Sequence, residues 1–99
     1  MRVVFTARSE QQLDDLTDYI ANESGEARAE AYVSRIIAYC EGLRTFPRRG
    51  ARRDDLLPGL RTVGFERRVV ILFAIQEDHV LIEGVFYGGQ DIDAAFDTE

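Results

Sequence analysis

Eight arginines between residues 44 and 68 are the side chains in this sequence best suited to chemistry. With three acidic residues beside them, the stretch carries a charge of +5, whereas the 99-residue chain carries −6. Guanidinium groups remain charged and bind carboxylate or phosphate in a planar, bidentate geometry. This arginine belt (residues 44–68) therefore predicts a docking surface for a partner. Its arginines are Arg44, Arg48, Arg49, Arg52, Arg53, Arg61, Arg67 and Arg68.

Metal-independent cleavage of RNA is one reaction that arginines can support together with a tyrosine. Arginines on an open sheet can stabilise the phosphorane of RNA cleavage while a tyrosine moves protons, and Tyr87 supplies the tyrosine. The belt arginines can equally be solvated or pair with Asp54 and Asp55, and Tyr87 can pack at a strand end. Because the sequence offers no evident acid–base pair, these residues favour a binding surface over a catalytic one.

Other chemistries find little support. One histidine, His79, and one cysteine, Cys40, form no spacing typical of a metal site, and we expect no metal or cofactor. The absence of lysine excludes Schiff-base chemistry and a P-loop. No apolar run approaches the roughly 20 residues that span a bilayer, and the start does not resemble a signal peptide. Cys40 lies within a helical apolar pattern, which predicts a reduced, buried thiol in a cytoplasmic protein.

Two helices must position the belt. A strand over residues 2–7 is followed by a capping-box pattern at Ser9–Gln12, which predicts a helix ending near residues 23–25. A second helix is predicted over residues 26–45, because Pro47 cannot continue it. The short connection predicts an antiparallel helical hairpin.

Strands follow the belt loop, which is predicted over residues 48–59. Patterns of β-forming residues predict strands over 60–65, 69–75 and 80–87, with His79 exposed in the turn at 76–79 and an acidic tail over 90–99 anchored by Ile92 and Phe96. The whole chain, residues 1–99, is predicted to be a single domain. We expect an α+β fold of order β-α-α-β-β-β, in which the helical hairpin packs on one face of a small, mainly antiparallel sheet. The other face is expected to be open and functional.

Short pieces spread over nearly the whole chain carry a family resemblance. They include Leu13-Asp14-Asp15-Leu16, Phe46-Pro47, Arg53-Asp54-Asp55-Leu56, Pro58-Gly59-Leu60-Arg61, Val70-Ile71-Leu72-Phe73 and Val85-Phe86-Tyr87-Gly88. In order and spacing the chain resembles the RelE/ParE superfamily of toxins, and within it the ParE branch.

The resemblance implies the toxin of a type II toxin–antitoxin module, which inhibits DNA gyrase by binding rather than as an enzyme. It also implies a ParD-like antitoxin whose C-terminal segment folds along the toxin, and through which alone the toxin reaches operator DNA. We expect Arg67, Arg68 and Tyr87 to contact the target. The residues expected to contact the antitoxin are Leu13, Leu16, Ile20, Arg48, Arg49, Arg52, Arg53 and Arg61.

Two departures from the superfamily pattern keep alternatives open. RelE-like nucleases carry an arginine just after the glycine of the last strand and a tyrosine in the tail, but this chain has Gly89 and Phe96 there. ParE-like chains often carry histidine before that glycine and arginine after it, where this chain has Tyr87 and Gly89. The alternatives are a ribosome-dependent mRNA endonuclease that uses Arg61, Arg68 and Tyr87, and a non-toxic remnant that still binds antitoxin.

Overall fold

A mixed sheet with a helical hairpin on one face is the framework of the molecule. A computed structural model describes residues 1–89 and 92–96. The elements there are β1 (Arg2–Phe5), α1 (Ala7–Ser24), α2 (Glu26–Gly42), β2 (Ala51–Arg52), β3 (Leu60–Phe65), β4 (Val69–Ile75), β5 (His79–Tyr87) and α3 (Ile92–Ala95). The five strands form one sheet in the order β1-β5-β4-β3-β2, in which β1 runs parallel to β5 and the other neighbours are antiparallel. The α+β fold and its predicted order are therefore confirmed.

The main core lies between the helical hairpin and the sheet. Leu13 and Leu16 of α1 and Ile36 of α2 pack against alternate residues of β4 and β5, as their helical spacing requires. Cys40 is fully buried in the same cluster, and this burial raises the pKa of its thiol to about 12. The thiol is consequently a core group and not a nucleophile.

The start of α1 differs from the predicted capping box at Ser9–Gln12. Thr6 is the N-cap: its Oγ1 accepts a hydrogen bond from the Ser9 amide at 3.1 Å, and Ser9 Oγ donates back to the Thr6 carbonyl at 2.9 Å. Gln12 instead reaches the sheet, where its Oε1 accepts from the Val85 amide at 2.7 Å. β1 pairs with β5 only as far as Ile82, so this side chain satisfies a strand amide that β1 does not reach.

Replacing Gln12 by alanine is expected to lower the free energy of unfolding by about 1–3 kcal/mol, because the Val85 amide loses its acceptor in a buried position. Urea denaturation measures the change. The control is Gln11→Ala, which removes an exposed hydrogen bond to Asp15 and should cost less than about 0.5 kcal/mol. Equal midpoints for the two variants would contradict the role given to Gln12.

The observed boundaries of several other elements differ by a few residues from those predicted from the sequence. α1 ends at Ser24 as predicted, but α2 stops at Gly42, and residues 43–45 form a turn before Pro47. β2, at Ala51–Arg52, lies within the predicted loop. His79 begins β5 and is half-buried, with Nδ1 2.7 Å from Asp78 Oδ1, rather than exposed in the turn.

The second face of the sheet is not open, contrary to expectation. Leu60, Leu72 and Phe86 are buried there, and partly buried apolar residues pack against them. These are Leu56 of the turn over residues 54–59, Val70 of β4, Ile92 and Ala95 of α3, and Phe96 directly after α3. The predicted anchoring of the tail by Ile92 and Phe96 is thus confirmed, whereas Gln90, Asp91 and residues 97–99 lie outside the described residues.

Candidate functional site

The arginine belt contributes a small basic depression at one end of the sheet. Arg48, Arg52 and Arg61 line a cavity of about 180 Å³. β2 pairs with β3 so that Arg52 lies opposite Arg61, and Arg61 Nη1 donates to the Arg49 carbonyl at 3.3 Å. β2 therefore holds Arg52, which the sequence placed in a loop, opposite Arg61 of β3, and together with Arg48 these arginines form a positive surface suited to a carboxylate-bearing partner.

Several belt arginines already have acidic or carbonyl partners, including Arg52 of the depression, whose Nε donates to Asp54 Oδ2 at 3.0 Å. Arg53 binds Asp55 and Asp93, each at 2.9 Å, and these hydrogen bonds raise its pKa. It holds α3 over the second face, so a partner must compete with two carboxylates for it. Arg49 donates to the Phe46 carbonyl at 2.9 Å and lies 5.8 Å from the centre of the Tyr39 ring.

The three apolar residues predicted to contact the antitoxin lie mainly in the core. Leu13 and Leu16 are only 7% and 6% exposed, and Ile20 is half-buried. They hold α1 against the sheet, and the small accessible part of each lines a surface depression beside α1. Their contact with an antitoxin remains a prediction.

A groove lined by tyrosines and arginines forms where the helical hairpin meets the ends of β4 and β5. Tyr87 is its centre: its ring lies 5.9 Å from Tyr19 and 6.1 Å from Tyr32, distances typical of favourable aromatic pairs. Arg28, Arg35 and Arg68 also line this space of about 540 Å³. We call it the tyrosine groove. It brings together Arg68 and Tyr87, two of the residues predicted to contact the target.

The third of these, Arg67, lies in a strained turn directly before Arg68. Glu66 and Arg67 connect β3 to β4 with φ of 48° and 68°, a conformation in which glycine and asparagine are preferred. Arg35 binds the Glu66 carboxylate through two hydrogen bonds of 2.9 and 3.0 Å, which lower the pKa of Glu66. This contact stabilises a turn that otherwise costs energy, and retained strain of this kind is common at functional sites.

The groove has unsatisfied positive charge. Arg35 is committed to Glu66 and also lies 5.2 Å from the centre of the Tyr32 ring. Within residues 1–89 and 92–96, neither Arg28 nor Arg68 forms a salt bridge. Burial and the neighbouring Tyr87 raise the pKa of Tyr32, so its hydroxyl stays protonated at neutral pH. The groove thus presents aromatic rings beside the guanidinium groups of Arg28 and Arg68, with Glu23 also in its lining.

The residues of the nuclease alternative are not assembled. Arg61 lies opposite Phe73 on β4, whereas Tyr87 lies opposite Val69. At about 3.3 Å per strand residue, Arg61 and Tyr87 are separated by roughly 13 Å along the sheet. Arg61 lines the basic depression, and Arg68 and Tyr87 line the tyrosine groove. One phosphate cannot contact all three groups.

Sequence reasoning missed most of the groove. Tyr19, Tyr32, Arg28 and Arg35 come from both helices, and none of them was singled out as a site residue. The available signal was the spacing of Tyr32 and Arg35 three residues apart, which places both on one side of α2. In the part of the chain that the structure describes, no cluster of three His, Cys, Asp or Glu residues could hold a metal ion. No helix there is long and apolar enough to cross a membrane.

Comparisons with known proteins agree with one another. A family model described as the ParE toxin of the type II toxin–antitoxin system parDE matches residues 3–92. Toxin ParE3 of Caulobacter vibrioides is 33% identical over 81 residues, which cover 82% of this chain and 81% of that protein. A solved structure of a chromosomal ParDE system from P. aeruginosa has the same fold, with a TM-score of 0.78 at 24% identity, and the match covers 89% of this chain and 96% of that one.

Proposed function

The chain belongs to the ParE toxin family of type II toxin–antitoxin systems, and on this basis we propose that it inhibits DNA gyrase by binding and is neutralised by a ParD-like antitoxin. The observation that carries the proposal is the family match over residues 3–92. The proposed site of action is the cytoplasm, where gyrase and DNA are found.

Inhibition by binding rather than by catalysis is supported by the arrangement of the candidate residues. Arg68 and Tyr87 both line the tyrosine groove, Arg67 precedes Arg68 in the β3–β4 turn, and we assign all three to target contact. Arg61, which a nuclease mechanism also needs, lines a different depression. The groove offers rings and cations for recognition, and its tyrosine of raised pKa, Tyr32, is a poor general base at neutral pH.

Antitoxin contact is assigned to the belt arginines that line the basic depression, of which Arg48 and Arg52 are exposed and Arg61 is half-buried. Arg48, Arg52 and Arg61 form the basic depression, and an acidic antitoxin segment would find these guanidinium groups converging there. Charge-assisted hydrogen bonds contribute about 1.5–3 kcal/mol when they are desolvated and much less at a wet rim. With a net charge of −6, the chain itself is poorly suited to coat DNA, so operator DNA is reached through the antitoxin.

The experiment is a cleavage assay with purified chain, gyrase, ATP and supercoiled plasmid. We expect stabilised double-strand breaks, seen as linear plasmid after protein is removed by detergent and protease. Added antitoxin should abolish them. The control variant is Arg44→Glu, whose exposed ion pair with Glu41 lies away from the groove, and it should retain the effect.

Absence of breaks with a folded, antitoxin-binding chain would contradict gyrase as the target. The ribosome would then be tested with Tyr87→Phe, which removes the hydroxyl that the nuclease alternative requires. A chain inert in both assays that still binds antitoxin would fit the non-toxic remnant.

A further inference from the structure

The tyrosine groove has a surface chemistry that selects one kind of partner. Its walls are aromatic rings, of which Tyr19 is 53% exposed, and its cations Arg28 and Arg68 have no carboxylate partner in the described part of the chain. Exposed tyrosine and arginine together are typical of the central residues of protein interfaces. A partner gains by supplying both an apolar side chain and a carboxylate.

The shape of this surface fits a peptide segment better than a small molecule. A second depression of about 440 Å³ adjoins the groove, and the two share Tyr19, Arg68 and Tyr87. The combined trough runs from α2 past the end of β5 to Gln12 and Asp15 on α1. An open trough of this length accommodates a helix or an extended strand laid along it.

Charge gives the trough a direction. Arg28, Arg35, Glu23 and Glu66 line the α2 end, Arg68 is shared, and Asp15 is at the α1 end. Because Arg35 already binds Glu66 in a bidentate pair, Arg28 and Arg68 are the cations open to a new carboxylate, and together they outweigh the single charge of Glu23. A bound segment is therefore expected to place its acidic residue near Arg28 and Arg68 and to keep negative charge away from Glu23 and Asp15.

We propose that this trough binds an acidic segment of the antitoxin, with a large apolar side chain against Tyr19, Tyr32 and Tyr87 and a carboxylate between Arg28 and Arg68. The inference rests on the proposed function, because it takes the antitoxin as the partner. It adds a mechanism of neutralisation: the antitoxin covers Arg68 and Tyr87, so those residues cannot contact the target while the complex persists.

The test compares three purified chains for binding to the full-length product of the adjacent antitoxin gene, by calorimetry and by dissociation kinetics. Arg28→Glu with Arg68→Glu should weaken binding at least 100-fold, mainly through faster dissociation. Tyr19→Ala should weaken it at least 10-fold. Arg2→Glu with Arg44→Glu changes the net charge equally at exposed sites. Although Arg44 belongs to the arginine belt, it pairs with Glu41 and lines neither the trough nor the basic depression, so this chain should stay within 3-fold of the unaltered chain.

Changing the partner supplies an independent measurement. An arginine introduced in place of the matching acidic residue of the antitoxin should restore at least 10-fold of the affinity lost in the Arg28→Glu, Arg68→Glu chain. Circular dichroism establishes that this chain is folded, and if it is not, Arg28→Ala with Arg68→Ala replaces it. If the altered chain bound weakly only because it had lost structure, a change in the antitoxin would not restore affinity. Restored affinity would therefore show that the arginines act in recognition and not in folding.

Two results would overturn the inference. One is unchanged affinity in the Arg28→Glu, Arg68→Glu chain, and the other is an equal loss in the Arg2→Glu, Arg44→Glu chain, which would indicate only general charge attraction. Either result leaves the proposed function intact if the unaltered chain binds the antitoxin. Failure of the unaltered chain to bind would instead contradict the antitoxin partnership itself.

Discussion

Replacing Gly50 by alanine is expected to lower the free energy of unfolding by about 3–5 kcal/mol. Gly50 has a φ of +78°, which disfavours any residue with a side chain. A Cβ at this position would also overlap the carbonyl oxygen of Thr62 in β3. The backbone must then move where β2 begins, and β2 holds Arg52 opposite Arg61.

Gly59→Ala is the matched control for this change. Gly59 has a similar φ of +84°, but no atom lies within 4 Å of the position that its Cβ would occupy. It should therefore lose only the conformational part, about 1 kcal/mol. Urea denaturation of both variants measures the difference, and equal losses would show that the contact with Thr62 does not constrain the strand. Gly50→Ala should also slow antitoxin association, because the basic depression depends on β2.

Reversing two charges of the basic depression should slow antitoxin association 10- to 100-fold at low salt. The variant is Arg48→Glu with Arg52→Glu, both exposed and both lining the cavity shared with Arg61. Long-range attraction accelerates encounter between opposite charges, so the association rate should change more than the dissociation rate. Stopped-flow or surface-based kinetics with the full-length antitoxin would measure both.

Varying the ionic strength and testing a control variant distinguish the effect of the basic depression on the association rate from the effect of net charge. The difference between the altered and unaltered chains should shrink above about 0.1 M salt, where the Debye length is about 10 Å. Arg2→Glu with Arg44→Glu carries the same net charge and should associate within 3-fold of the unaltered chain. An equal slowing of both double variants would assign the effect to net charge and remove the specific role of the depression.

The basic depression and the tyrosine groove are expected to affect different rate constants of antitoxin binding. The basic depression is exposed and mainly cationic, so it is suited to steering an acidic partner during encounter. The tyrosine groove has ring surface to desolvate, so it is suited to slowing dissociation. Kinetic measurements on the two double variants can therefore distinguish their contributions within one complex.

Local sequence patterns determined the elements and the family. Apolar residues at helical spacing determined α1 and α2, and the uninterrupted apolar run over residues 69–75 determined β4. These signals arise from interactions within a few residues, which a sequence displays directly. The order of these pieces also indicated the ParE family, which the family match confirmed.

Pairing between strands distant in the sequence determined two features that local patterns did not predict, the strand β2 and the N-cap of α1. β2 contains only two residues and exists because they pair with β3, so no periodicity reveals it. Thr6 rather than Ser9 caps α1, because the Thr6 amide donates to the Ile82 carbonyl at 3.1 Å and thereby fixes where β1 ends. Both outcomes depend on a neighbouring strand distant in the sequence.

The candidate sites were likewise predicted in part from the sequence and determined in part by the tertiary structure. The sequence by itself determined that a basic segment exists and that Arg68 and Tyr87 lie near strand ends. Only the tertiary structure decided that Tyr19, Tyr32 and Tyr87 meet, since they belong to three elements. It also covered the second face of the sheet with α3, because Leu60, Leu72 and Phe86 would otherwise expose a contiguous apolar surface to water.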